Sequence, residues 1–322
     1  MRCLISNSLP YLLIFTMIGE FWGCAALKNL ENPFKESEYK RIMEQQQQKQ
    51  KALSAADEEA AKKIPEMTAR GYDEIGDNYL RQGDLERAFV QYDKALRLEP
   101  NQAGIRYKIG SLFLKKGLPE EAKREFQQIL KDDPNNALAY EGMGKSFFKQ
   151  GEFGEAEKYF RQAINLNDGL WQAHNFLGIM YDRQRQFEAA IPEYTAAIAL
   201  KPNEGILFNN LGMSYYFSGE YEKATNALAE ALKIEGTHSK ICNNFALALC
   251  KLGRYQEALE MFKKGGDEAV AYNNIGYLYL IERKYDEAIK SFEKAIELNP
   301  RFYIKAHENI KRAEAAVNNQ SK

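Results

Sequence analysis

The chain has 322 residues, 45% of them apolar and 28% charged, with 44 Lys plus Arg against 45 Asp plus Glu. A formal net charge of −1 argues against non-specific nucleic-acid binding, which needs surplus cations to release counterions from phosphate. The four cysteines, Cys3, Cys24, Cys242 and Cys250, supply neither a disulfide framework nor the spacing of a metal site. If Cys242 and Cys250 share one helix they stand roughly 12 Å apart along its axis. That exceeds the reach of a disulfide, so both are expected to be packing residues.

The first segment differs from the rest. Arg2 precedes the apolar run Leu12-Leu13-Ile14-Phe15-Thr16-Met17-Ile18, and Glu20-Phe21-Trp22-Gly23-Cys24 follows. A charged start, a short apolar core and a small residue before the cut describe an export signal. The run is too short for the roughly 20 residues of a spanning helix. Gly23-Cys24 resembles the end of a bacterial lipobox. The resemblance implies removal of residues 1–23 and lipidation of Cys24. Ala25 after it implies outer-membrane delivery in the bacterial envelope, facing the periplasm. An ordinary signal peptide and an uncleaved anchor are the alternatives.

Residues 24–68 are a polar tether, with Gln45-Gln46-Gln47-Gln48 and few large apolar side chains. Such a stretch buries too little to form a core. From Tyr39 to Lys63 it is rich in helix formers, so it is expected to be partly helical or disordered, a spacer rather than a site.

From Ala69 to residue 302 the chain repeats with a period of 34. Seven units start near 69, 103, 137, 171, 205, 239 and 269. The eighth position reads Gly76, Gly110, Gly144, Gly178, Gly212, Ala246 and Gly276. The twentieth reads Ala88, Ala122, Ala156, Ala190, Ala224, Ala258 and Ala288. The twenty-fourth reads Tyr92, Phe126, Phe160, Tyr194, Leu228, Phe262 and Phe292, and Pro100, Pro134, Pro202 and Pro300 close four of the units. The small residues let two helices approach, the large ones fill the crossing, and proline ends the second helix.

A period of 34 with these residues resembles the tetratricopeptide-repeat (TPR) family. The resemblance implies an all-α fold, a right-handed αα superhelix whose concave groove binds partner proteins or peptides. The sixth unit is four residues short, which predicts a second helix trimmed by about one turn. Residues 303–318 are expected to form a capping helix, and 319–322 a tail.

No phosphate loop, zinc-binding His-Glu pair or nucleophile elbow is present. The histidines, His174, His238 and His307, are dispersed, and His174 sits at a packing position. The sequence therefore predicts no enzyme, no metal and no cofactor. The groove is the functional candidate. In the first unit its positions read Arg70, Asp73, Asp77 and Arg81. In units five to seven they include Ile206, Met213, Tyr216, Phe217, Leu247, Tyr277, Leu280 and Ile281. Exposed together, such residues mark an interface; a tighter superhelix would bury them between repeats instead.

Asn209-Asn210, Asn243-Asn244 and Asn273-Asn274 recur at one place in three successive units, with Asn175 before them and Asn309 in the cap. Carboxamides donate and accept at once, so a ladder of them suits the backbone of an extended peptide. This resembles the asparagine ladder of peptide-binding arrays of the family; structural use is the equal alternative. The Lys and Asn set of the chaperone carboxylate clamp is absent.

A narrower resemblance rests on the lipobox-like start, the short sixth unit Asn243-Asn244-Phe245-Ala246-Leu247-Ala248-Leu249 with Gly253-Arg254-Tyr255, and the restart at Gly266-Asp267-Glu268-Ala269. It is to Flp-type (tight-adherence) pilus assembly lipoproteins. That implies a membrane-anchored scaffold for a pilus or secretion apparatus; another envelope complex, such as outer-membrane-protein or cell-wall machinery, is the alternative.

Overall fold

A computed structural model describes residues 67–300 and 303–320. The leader, Cys24 and nearly all of the tether lie outside the described residues. These contain fifteen α-helices and no strand, and none of the helices is long and apolar enough to cross a membrane.

The chain divides after Asp168 into two compact units. In the first, hairpin one is α1 (Ala69–Arg81) and α2 (Leu85–Leu98), hairpin two is α3 (Ala103–Lys115) and α4 (Pro119–Asp132), and hairpin three is α5 (Ala137–Gln150) and α6 (Phe153–Leu166). In the second, hairpin four is α7 (Trp171–Arg183) and α8 (Phe187–Leu200), and hairpin five is α9 (Gly205–Ser218) and α10 (Tyr221–Glu235). Hairpin six is α11 (Ser239–Lys251) and α12 (Tyr255–Gly265), hairpin seven is α13 (Glu268–Ile281) and α14 (Tyr285–Leu298), and α15 (Tyr303–Gln320) follows. Within each unit every helix packs on the next, which is the stacked αα architecture of a repeat solenoid.

Local chemistry sets the starts and turns. Thr68 Oγ1 accepts the Gly71 N–H at 3.1 Å, Asp84 caps α2 through the Arg87 N–H, and Asp267 accepts from Ala269 and Val270 at the start of α13. These contacts satisfy amides that have no partner inside the helix. The turn inside each hairpin needs a left-handed residue. Gly83, Gly117, Gly151, Gly219 and Gly253 provide it with φ between 74° and 88°. Arg185 and Arg283 hold the same place at φ of 60° and 61°.

The crossing of paired helices explains the eighth position. A Cβ on Gly76 would lie 2.4 Å from the Tyr92 ring, and one on Gly178 2.6 Å from the Tyr194 ring. Both rings are fully buried, so neither has room to yield. The twenty-fourth residues Tyr92, Phe126, Phe160, Tyr194 and Phe292 are the largest wholly buried side chains, each worth roughly 1.5–3 kcal/mol of burial. Hairpin six departs from the others. Its second helix, α12, has 11 residues where α8 and α14 have 14.

Cys242 and Cys250 are buried and unpaired with each other. Burial pushes the Cys250 thiol up to about 12, which removes the thiolate needed for reactivity.

Candidate partner-binding face

In the first unit the predicted charged surface is matched within itself. Lys108 Nζ donates to Asp73 Oδ1 at 2.7 Å and to Asp77 Oδ2 at 2.9 Å, and the Tyr92 hydroxyl donates to Asp77 Oδ1 at 2.7 Å. Burial opposes ionisation of Asp77, yet these donors hold its carboxyl below the usual range. One hairpin on, Lys145 pairs with Glu141 and donates to the Tyr107 hydroxyl, which donates in turn to Glu141. Arg70 pairs with Glu74, and Arg81 bonds Asn78.

The asparagines of the second unit meet across hairpins. Asn244 Nδ2 donates to Asn209 Oδ1 at 2.8 Å, Asn209 Nδ2 to Asn210 Oδ1 at 3.4 Å, and Asn210 Nδ2 to Asn175 Oδ1 at 3.1 Å. This is a one-way chain of carboxamides through α11, α9 and α7. Asn244 and Asn209 are 2% and 1% exposed, and Asn210 is 9% exposed. Such groups are satisfied inside the stack, so for these four residues the ladder joins hairpin to hairpin. It breaks at the short hairpin. Asn274 stands where Asn244 and Asn210 do but makes no such bond to Asn243, and Asn273 Oδ1 is buried without a hydrogen-bond partner. The first helices of hairpins four and five, and of five and six, touch directly. Those of six and seven approach less closely.

The apolar residues also divide. Met213 and Tyr216 are buried at 1% and 7% exposure, which corrects their expected place on an open face. Tyr216 lies edge-on to Phe217 at 5.3 Å and 5.7 Å from Tyr221. Phe217, stacked on Phe187 at 5.6 Å, is half-buried, as are Asn243, Asn274, Tyr277, Leu280 and Ile281. Tyr277 and Leu280 rest on a core of Ala288, Phe292 and Ala306. Ile206 is 42% exposed. The face open to a partner is therefore narrower than the sequence predicts: Ile206, Phe217, Leu247, Tyr277, Leu280 and Ile281, with the carboxamides of Asn243 and Asn274.

One polar knot escapes the sequence reading. Asp182 of α7 is buried at 8% exposure; it accepts from the Tyr194 hydroxyl at 2.8 Å and from Ser214 Oγ at 2.9 Å. It joins α7, α8 and α9. Burial without a cation pushes its carboxyl up to about 6, against the pull of the two hydroxyls. The signal was an acidic residue at a face position otherwise read for apolar character. His174, expected to pack, is also bonded, through Nδ1 to Glu193 at 2.7 Å. Among the described residues no cluster of three or more side chains could hold a metal.

Residues 34–271 match the family described as "Cilia and flagella-associated protein 70 C-terminal domain", and residues 269–302 match the tetratricopeptide repeat. No curated protein matches the sequence. Among solved structures, the APC/C hetero-tetramer Cut9–Hcn1 is similar with a TM-score of 0.55 at 22% identity over 74% of this chain. The match covers 48% of that chain, so the present chain spans about half its length. The C-terminal part of a TPR repeat-containing protein from Cytophaga hutchinsonii gives a TM-score of 0.55 at 18% identity, covering 74% of this chain and 98% of that one. PilW, titled a widely conserved type IV pilus biogenesis factor, gives 0.54 at 19% identity, covering 60% and 90%. At these identities the likeness is one of fold alone. With seven hairpins on the 34-residue pattern and the family match running through six of them, the chain belongs to the tetratricopeptide-repeat family represented by the cilia and flagella-associated protein 70 C-terminal domain.

Proposed function

We propose that the protein is a membrane-anchored scaffold of the bacterial cell envelope. It holds partner proteins or extended peptides against the first-helix face of hairpins five to seven. The observation that carries this reading is the composition of that face. Phe217, Tyr277, Leu280 and Ile281 are half-buried, as are Asn243 and Asn274 with carboxamides outside the closed chain, whereas Lys108, Asp73, Asp77, Lys145 and Glu141 of the first unit are spent on one another. Large apolar and aromatic residues with unspent amides are the material of a peptide-holding surface.

A role in assembling a pilus or secretion apparatus rests on the lipobox-like start and the short sixth hairpin; a pilus biogenesis factor shares the fold. Scaffolding of another envelope complex is the second reading. The ciliary setting in the family description belongs to the protein for which it is named.

Two experiments test the proposal. Cys24→Ser is expected to abolish acyl labelling and release the protein from membranes; unchanged labelling and retention would remove the anchor. Phe217→Ala with Tyr277→Ala is expected to cut partner recovery in a crosslinking pull-down from native membranes while leaving the helical circular dichroism intact. Unchanged recovery would count against the face.

A further inference from the structure

We propose that Asp182 and Ser214 form a proton-operated clasp between hairpins four and five, which firms the Phe217 part of the partner-holding face in mild acid and slackens it at neutral pH. The clasp stands on its own geometry; its control of the face rests on the scaffold reading above.

One hydroxyl in the knot has two acceptors. Ser214 Oγ of α9 lies 2.9 Å from Asp182 Oδ1 of α7 and 3.5 Å from the main-chain oxygen of Phe187, the first residue of α8. With Asp182 ionised, the serine hydrogen belongs to the carboxylate, which also takes the Tyr194 hydroxyl on Oδ2 at 2.8 Å. A proton from solvent on Oδ1 reverses the first of these bonds. The carboxyl then donates to Ser214 Oγ, and the serine hydrogen turns to the Phe187 oxygen. Tyr194 stays a donor throughout, because burial holds its hydroxyl well above the usual range. Protonation thus exchanges a buried charge with two bonds for a neutral group with three. The added bond pins the start of α8 to α9.

The surroundings leave that charge to burial. α9 carries no charged residue, only Tyr215 and Tyr216 as titratable groups. Of the charged groups on α7 and α8, Arg183 and Glu188 are exposed, as is Arg185 in the turn, and Glu193 is bonded to His174 at 2.7 Å. Burial, against the pull of the two hydroxyls, places the exchange of the proton at about pH 6.

Phe187 is also the seat of the face. Its ring stacks on Phe217 with centroids 5.6 Å apart and planes 20° from parallel. A pinned Phe187 holds Phe217 in one place, and a surface fixed beforehand loses less freedom when a partner settles on it.

Two measurements on the full chain test the proposal. The first is amide hydrogen exchange, corrected for the intrinsic effect of pH. The start of α8 and the middle of α9 are expected to open roughly tenfold less often at pH 5 than at pH 7.5, as for a carboxyl that titrates at about 6 when closed and at 3.8 when open. In Asp182→Asn the amide can donate to Ser214 and accept from Tyr194 at any pH, so opening should be equally rare at both. Equal opening of the wild type at the two pH values, or a tenfold difference surviving in Asp182→Asn, would overturn the clasp. The second is photocrosslinking in native membranes through a photoreactive residue in place of Leu280. Adduct yield should be higher at pH 5 than at pH 7.5, and that difference should vanish in Asp182→Asn and in Ser214→Ala. A yield that ignores pH, or that changes alike in all three chains, would overturn control of the face. If exchange shows the tenfold difference but no adduct forms at either pH, the clasp stands and the scaffold reading falls, taking the control with it.

Discussion

Asp182 shows how much a single polar side chain can govern in a stack of apolar crossings. Its carboxylate has two hydroxyl donors and no cation. In the folded chain the carboxyl holds its proton up to about pH 6, against 3.8 for the ordinary group. Between those values the folded state binds more protons than the unfolded one, so stability falls as pH rises through the window. Above about pH 6 the ionised group costs its full penalty, on the order of 3 kcal/mol. Asp182→Asn should therefore raise the urea midpoint at pH 7.5 and leave it nearly unchanged at pH 4. A lower midpoint at pH 7.5 would mean that the charge stabilises the joint. Asn209, Asn210 and Asn244 are the companion case. Their recurrence was plain in the sequence, but their use was not, because donors and acceptors at one spacing suit a peptide and a neighbouring hairpin equally. Distances and burial decide for the hairpin.

At the scale of the element, the inner turn of each hairpin is the most constrained point. Five of the seven described turns put glycine in the left-handed region, and Arg185 and Arg283 replace it in the others. A side chain there costs roughly 1–2 kcal/mol, because its Cβ crowds the following carbonyl. Arg283 is exposed, so Arg283→Gly should raise the thermal midpoint, by about 1 kcal/mol in free energy after the extra chain entropy of glycine is met. A fall in the midpoint would show that the arginine makes up its strain through other contacts. The elements themselves were legible in advance. The 34-residue period, the glycine at eight and the aromatic at twenty-four encode a crossing that only small-on-large packing allows, as Gly178 under Tyr194 demonstrates. Exposure was less legible. Met213 and Tyr216 lie on the predicted face, yet burial depends on how closely successive first helices stack, which no single hairpin encodes. Asp182 was missed because one of its partners, Ser214, sits in the next hairpin, 32 residues away.

At the scale of the molecule, two units built from one repeat present different chemistry. The first spends its charges internally, through Lys108 with Asp73 and Asp77 and Lys145 with Glu141. The second binds Asn244, Asn209, Asn210 and Asn175 to one another and leaves the half-buried Asn243 and Asn274 without such a bond. The most direct measurement is site-specific photocrosslinking of the full chain in native membranes, with a photoreactive residue in place of Phe217, Leu280 or, on the opposite helix of hairpin seven, the exposed Lys290. The account predicts discrete partner adducts from positions 217 and 280 and none from 290. Adducts from 290 alone, or equal adducts from all three, would contradict it.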